Sequence, residues 1–195
     1  MLHSIPIFPL HAHILPGGLL SLRIFEQRYL RMVKAVCREA SGFGIAMMQD
    51  FSDKPGKQSV LPIGTYVKIV DFDALPNNIL GIKVQGKSKF RLHSTTMELD
   101  GLMMGEVEFM KNWAPTPFYH YQTILCGKLK EIFKAYPNID NLYQHKSFDD
   151  ATWVSQRLIE LLPFESELKQ ELIADPDCRQ TVDFLMQRCE FGITE

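Results

Sequence analysis

A chain of 195 residues with 46% hydrophobic and 23% charged residues suits one large folded domain or two small ones sharing a core. That balance excludes a disordered or fibrous protein, and a net charge of −2 removes any global pull toward nucleic acid. No run approaches the roughly 18 uncharged apolar residues that a membrane helix needs, and Pro6 and Pro9 break the stretch that a secretion signal would keep continuous. A membrane is therefore not an expected partner.

The first half reads as strands with one helix. IPIFPL (5–10) and LLSLRI (19–24) are short extended segments joined through a turn at Pro16-Gly17-Gly18. The prolines confine the first segment to a sheet edge or a strand end, because neither can donate to a ladder. From Glu26 to about Ala40, Tyr29, Val33, Val36 and Cys37 recur at helical spacing until Ser41-Gly42 stops the run. FGIAMMQ (43–49) is the next strand, followed by a polar loop, Ser52 to Gln58, expected to be exposed and mobile. GTYVKIVDF (64–72) alternates, with Tyr66, Lys68 and Val70 on one face and Thr65, Val67, Ile69 and Asp71 on the other. LPNN (75–78) turns the chain into ILGIKVQGKSKFRLHS (79–94), where Gly86 is expected to mark a bulge or bend. LMMGEVEFMKNW (102–113) ends the series. About six strands with one inserted helix fit a small barrel.

At Ala114-Pro115-Thr116-Pro117 the character changes, which sets expected domains at 1–114 (β-barrel) and 115–195 (α-helical). Phe118, Tyr121, Leu125, Leu129, Ile132 and Tyr136 step by three or four up to Pro137. Ser147 and Asp150 resemble a capping box that opens a helix with Ala151, Val154, Leu158 and Leu161 on one face. After Pro163 a short helix is expected around 165–173. Asp175-Pro176 then reads as an N-cap and first helical residue, with Cys178, Val182, Leu185 and Cys189 on the buried side. The four cysteines form no CxxC pair, which argues against a zinc ribbon or redox dithiol. Cys37 and Cys189 sit at apolar helical positions, as small core residues do, and a reduced, cytoplasmic setting follows.

Several of these pieces together resemble one family. Pro6-Ile7-Phe8-Pro9-Leu10, Pro16-Gly17, Leu22-Arg23-Ile24-Phe25-Glu26 and Arg28-Tyr29 are similar to the opening of the N-terminal, substrate-recognising domain of Lon proteases. Ile63-Gly64-Thr65, the strand from Val84 to Leu92, Leu162-Pro163 and the 177–179 stretch resemble later landmarks of that domain, so the likeness covers most of the chain. Gln27 stands where the family usually has proline, which softens the helix start without moving it. The resemblance implies an α+β protein: a PUA-like β pseudobarrel with an inserted helix, then a C-terminal helical bundle. It also implies a stand-alone, non-enzymatic member that binds peptide or unfolded protein segments, alongside a protease or chaperone partner, with no cofactor. The stretch Gly81-Ile82-Lys83-Val84-Gln85-Gly86-Lys87-Ser88 has GxxxxGK[ST] spacing but falls inside the strand expected at 79–94 and not at a strand-to-helix turn, so no phosphate-binding loop is expected.

Candidate sites are few. Met47, Met48, Met97, Met103, Met104 and Met110 cluster in the strand region, and thioethers adapt to varied partners. Met103, Met104 and Met110, together with Trp113, are the peptide-binding candidates. Lys87, Lys89 and Arg91 would share a strand face and are the candidates for an RNA or small-ligand binder, the alternative reading, although the aromatic–basic interleaving of a single-strand platform is missing. Glu26, Arg28 and Arg23 read as helix-start electrostatics. His11 and His13 read as surface loop residues without the further ligands a metal needs. Asp71 and Asp73 read as a solvated strand end. No catalytic or metal site is expected.

Overall fold

The computed structural model describes residues 1–48, 59–76 and 79–190. It separates into two compact units, Met1–Lys111 and Asn112–Glu195. The polar loop expected at 52–58 and the two asparagines of the 75–78 turn lie outside the described residues.

Among the described residues unit 1 contains six strands: β1 (His3–Leu10), β2 (Leu19–Ile24), β3 (Phe43–Met48), β4 (Val60–Leu75), β5 (Ile79–Met97) and β6 (Met103–Phe109), with helix α1 (Gln27–Arg38) between β2 and β3. The sheet order is β2-β5-β4-β3-β1-β6, and β6 also pairs with β5. Five strands therefore close on themselves, and β2 hangs on the outside of β5. The length of β5 makes this possible. Its first half, Leu80 to Gln85, pairs with β2, and its second half, Phe90 to Met97, pairs with β6.

β1 is an interior strand and not the expected edge. It pairs with β6 from His3 to Ile7 and with β3 from Ile7 to Leu10, so only Ile7 has a partner on both sides. Pro6 falls in the stretch laddered to β6 alone and Pro9 in the stretch laddered to β3 alone. Each proline thus meets the rule that a missing donor must face an unpaired side, residue by residue and not strand by strand.

α1 buries Tyr29, Met32, Val33 and Val36, the i, i+3, i+4, i+7 set of one helix face. They pack with Phe8, Leu22, Ile24, Phe43, Ile82 and Val84 in the larger core cluster. Met32 takes the place expected for Cys37, which is exposed. The smaller cluster, Ile5, Ile7, Ala46, Phe90, Met103 and Val107, fills the closed part of the sheet. Two glycines make room for it. A Cβ at Gly44 would lie 2.7 Å from Ile7 Cδ1 and 2.8 Å from Phe90 Cζ, and one at Gly64 would lie 2.5 Å from Phe90 Cζ.

The β4–β5 ladder slips where Tyr66 pairs with Ser88 but Val67 pairs with Gly86, which leaves Lys87 as the extra residue. The sequence signal at Gly86 thus marks a bulge one residue on. Gly86 is also bonded to the β1–β2 turn, accepting from Gly17 N (2.9 Å) and donating to Gly18 O (3.0 Å). One inserted residue exchanges the two faces of a strand. Lys89 accordingly stands opposite Thr65 on the layer of Val67, and Phe90 turns into the smaller core beside Gly64.

Unit 2 carries a 3-10 turn at His120–Gln122 and the helices α2 (Thr123–Ala135), α3 (Pro137–Asp140), α4 (Ala151–Leu161), α5 (Ser166–Ala174) and α6 (Arg179–Glu190). In α2 the buried residues are Leu125, Leu129 and Phe133, so Ile132 and Tyr136 are not the inward set. The cap of α4 is Asp150, whose carboxylate accepts from Thr152 N, whereas Ser147 contributes only a turn carbonyl to Asp150 N. α4 is buried on nearly every face, including Gln156 and Arg157, while Leu161 is half-buried. The last helix begins at Arg179, not at Pro176, because Asp177 Oδ1 accepts from Arg179 N at 3.0 Å. Asp175 uses its carbonyl to accept from Trp113 Nε1 instead (2.7 Å).

Candidate functional site

The turn from β5 to β6 is the most distinctive surface of unit 1. Its ladder runs to Met97 opposite Met103, and the turn closes through Glu98 N to Leu102 O and Gly101 N to Glu98 O, both 2.9 Å. Gly101 sits at φ +82, a left-handed conformation that a side chain would oppose. Two arginines of α1 hold this turn. Arg31 Nε donates to Asp100 Oδ2 at 2.7 Å and Nη2 to Oδ1 at 3.0 Å, and it also bonds Glu98. Arg28 Nη1 donates to Gly101 O at 2.8 Å while its Nε stays on Glu26 Oε2 at 2.9 Å. Asp100 Oδ1 further accepts from Leu102 N at 3.1 Å. Sequence reasoning paired Arg28 with Glu26 correctly but had no signal for a carbonyl 73 positions away.

This bracing presents apolar surface to solvent. Leu99 is 110% exposed and Met97 54% exposed. Together with Arg31, Glu98 and Asp100 they line an open hollow of about 620 Å³. Ordering two exposed apolar side chains contributes nothing to the fold, so their fixed display is suited to an incoming apolar group.

The Arg31 guanidinium, as hydrogen-bond donor, holds the Asp100 carboxyl below its usual range, and Leu102 N adds to the effect. Arg31 is correspondingly raised by Asp100 and then Glu98. A carboxylate with a depressed folded pKa contributes its stabilisation above its unfolded pKa and loses it as pH falls through the folded value. The turn should therefore stay braced from neutrality to below about pH 4 and loosen at lower pH. Amide exchange at Leu102 followed from pH 7 to pH 2.5 checks this. An Asp100→Asn variant should show fast exchange throughout.

The residues singled out from sequence divide sharply. Met103 lies in the smaller core and Trp113 is buried. Met104 and Met110 are half-buried, and so keep part of their surface available. Lys87 and Arg91 are exposed, but Lys89 is 1% exposed, so the three form no continuous basic stripe. The bulge at Lys87 is the cause. Arg91 also stands opposite Glu108. His11 is exposed and His13 buried, which corrects the surface reading of the pair. Among the described residues no cluster of His, Cys, Asp or Glu could hold a metal ion.

A smaller hollow of about 220 Å³ in unit 2 is lined by the first residues of α4 and α6, including Ala151, Cys178 and Arg179. Its helix starts are already capped internally. Asp150 Oδ1 accepts from Thr152 N and Thr116 N, and Asp177 accepts from Arg179 N. It offers no ready anion site.

No helix among the described residues is long and apolar enough to cross a membrane. Compared with known proteins, the chain is similar to the Lon protease of Cytophaga hutchinsonii, 24% identical over 191 residues, covering 94% of this chain and 23% of that protein. It is also similar to the Lon protease of Escherichia coli K12, 20% identical over 198 residues, covering 97% of this chain and 25% of that protein. The chain thus spans about a quarter of the length of the curated relatives it matches. Among solved structures, the Lon N-terminal domain protein from Xanthomonas campestris superposes with a TM-score of 0.74 at 29% identity, covering 95% of this chain and 98% of that one. The N-terminal domain of Mycobacterium avium complex Lon protease shares the fold, with a TM-score of 0.61 at 14% identity, covering 98% of this chain and 100% of that one. Residues 4–187 match the ATP-dependent protease La (LON) substrate-binding domain, and the chain belongs to that family.

Proposed function

We propose that this protein is a recognition module that binds peptide or unfolded protein segments without cleaving them, and that the β5–β6 turn is where it does so. The family match supports the recognition role, and the display of Leu99 and Met97 on a turn braced by Arg28 and Arg31 supports the location. The half-buried Met104, opposite Thr96 on the same hairpin, packs against the larger core, and Met110 is the next candidate along the chain. The same reading takes the closed sheet as a PUA-like pseudobarrel and the α2–α6 region as a helical bundle. It places the protein in a reducing, cytoplasmic setting, which its free cysteines support.

The test uses a reduced, carboxymethylated globular protein held unfolded as the probe. The chain should bind it with micromolar affinity in calorimetry. Burying a leucine or methionine side chain is worth about 1.5–3 kcal/mol. A Met97→Ser/Leu99→Ser variant should therefore bind at least about tenfold more weakly. Its thermal midpoint should be unchanged, because both side chains are exposed. No binding by the native chain, or undiminished binding by the variant, refutes the reading.

A further inference from the structure

The outer part of β4 is an open sheet edge of unusual chemistry. The β3 ladder reaches β4 only as far as Phe43 opposite Val67. From Lys68 to Leu75, β4 is paired on the β5 side alone among the described residues, with Val70 left out of that ladder by a register shift between Ile69 and Asp71. The sequence along this edge is Val70-Asp71-Phe72-Asp73, with Val70 48% and Phe72 52% exposed. Natural edges are usually blunted by charge, proline or shortness, and seldom leave large apolar side chains bare. Aspartate is also disfavoured in strands, so its repetition here serves something other than strand propensity.

Two details show how the edge is kept ready. The Phe72 N–H donates to Asp71 Oδ1 at 2.9 Å, so the carboxylate holds a donor on this strand much as the carbonyl of a further strand would. Asp71 also lies 3.7 Å from Lys83 on the neighbouring strand, whereas Asp73 makes no ion pair among the described residues. Negative charge therefore lines this edge. An antiparallel second copy centred on Phe72 would set Asp71 against Asp73, like charges directly opposite, which disfavours that self-pairing.

We propose that Val70–Ala74 of β4 is a strand-acceptor edge for protein segments that alternate apolar and basic residues. The backbone of the incoming segment extends the sheet, its lysines or arginines face Asp71 and Asp73, and its apolar side chains cover Val70 and Phe72. This goes beyond the hairpin-turn reading, uses different residues, and adds a charge requirement that the turn does not impose.

Three synthetic peptides test it against the full chain: an alternating valine–lysine peptide, the same peptide N-methylated at every second residue, and an alternating valine–glutamate peptide. The first should bind, and slow amide exchange at Phe72 and Ala74. N-methylation, which removes strand hydrogen bonds, should weaken binding at least tenfold, as should the glutamate replacement. An Asp71→Lys/Asp73→Lys variant should reverse the preference and take the glutamate peptide. The Met97→Ser/Leu99→Ser variant should bind the valine–lysine peptide as the native chain does, so either site can fail without the other. Equal binding of the methylated peptide, an unreversed charge preference, or concentration-dependent protection of the same amides by a second copy would each overturn the inference.

Discussion

Phe90→Ala should lower the stability of the chain by about 3–5 kcal/mol, the cost of emptying a fully buried aromatic site. Few positions in unit 1 have so little chance of relaxing. Phe90 is completely buried in the smaller core, and Gly44 and Gly64 on neighbouring strands touch its ring because neither carries a side chain. The surrounding sheet is closed, so it cannot slide inward to fill the void. Urea unfolding followed by far-UV circular dichroism checks the magnitude. Gly44→Ala provides the complementary measurement. Its new methyl group would meet the side chains of Ile7 and Phe90 first, so Gly44→Ala should destabilise the native chain but cost markedly less in a Phe90→Leu background. Simple additivity of the two changes would contradict this account of the packing.

Glu160→Gln should cost a comparable amount, about 3–5 kcal/mol, because it strips a buried cation of its counter-charge. Arg157 is completely buried in α4, and it meets Glu160 through two 2.6 Å hydrogen bonds, Nε to Oε2 and Nη2 to Oε1. Its guanidinium also lies 5.7 Å from the centre of the Trp153 ring. That ring belongs to an aromatic group with Phe133, Tyr143 and Phe148, whose mutual centroid distances run from 5.6 to 6.3 Å. Lys169, buried nearby, has its pKa pushed down by desolvation, with Glu160 acting in the opposite direction. Removing Glu160 therefore takes away a negative charge that acts on both cations. Replacing the pair together, Arg157→Met with Glu160→Leu, should be close to neutral, since buried ion pairs often exchange for apolar residues without loss. Thermal denaturation of the single and double variants distinguishes a charge effect from a packing effect.

Much of the strand framework could be read from local pattern. Val67 and Ile69 alternate with Lys68 and Val70, and α1 starts and stops where the Glu26 and Ser41-Gly42 signals place it. What escaped was non-local. Prolines 6 and 9 mark an edge correctly at their own positions, yet nothing in IPIFPL shows that β1 changes partner at Ile7. Lys89 alternates with Phe90 as a surface lysine would, and only the one-residue slip against β4 turns it inward. Arg157 looks like the solvated position of an amphipathic helix, because burial of α4 on all sides is set by its neighbours and not by its own period. For the candidate site, methionine counting led to the β5–β6 hairpin but to Met103, its inward residue. Leu99 and the arginine brace depend on contacts about 70 positions apart in sequence, which no spacing rule encodes.

The partner exchange in β1 also bears on the order in which unit 1 is built. His3 pairs with Val107, so the first strand of unit 1 to be synthesised completes its ladder with the last strand of the unit. At about 5–20 residues per second, on the order of ten seconds of synthesis separate the two. Through that interval the early half of β1 has no hydrogen-bonding neighbour, while β3 and β4 can already engage its later half and each other. Ring closure is therefore the final step of unit 1 during translation. It also carries the longest loop-closure penalty in the unit.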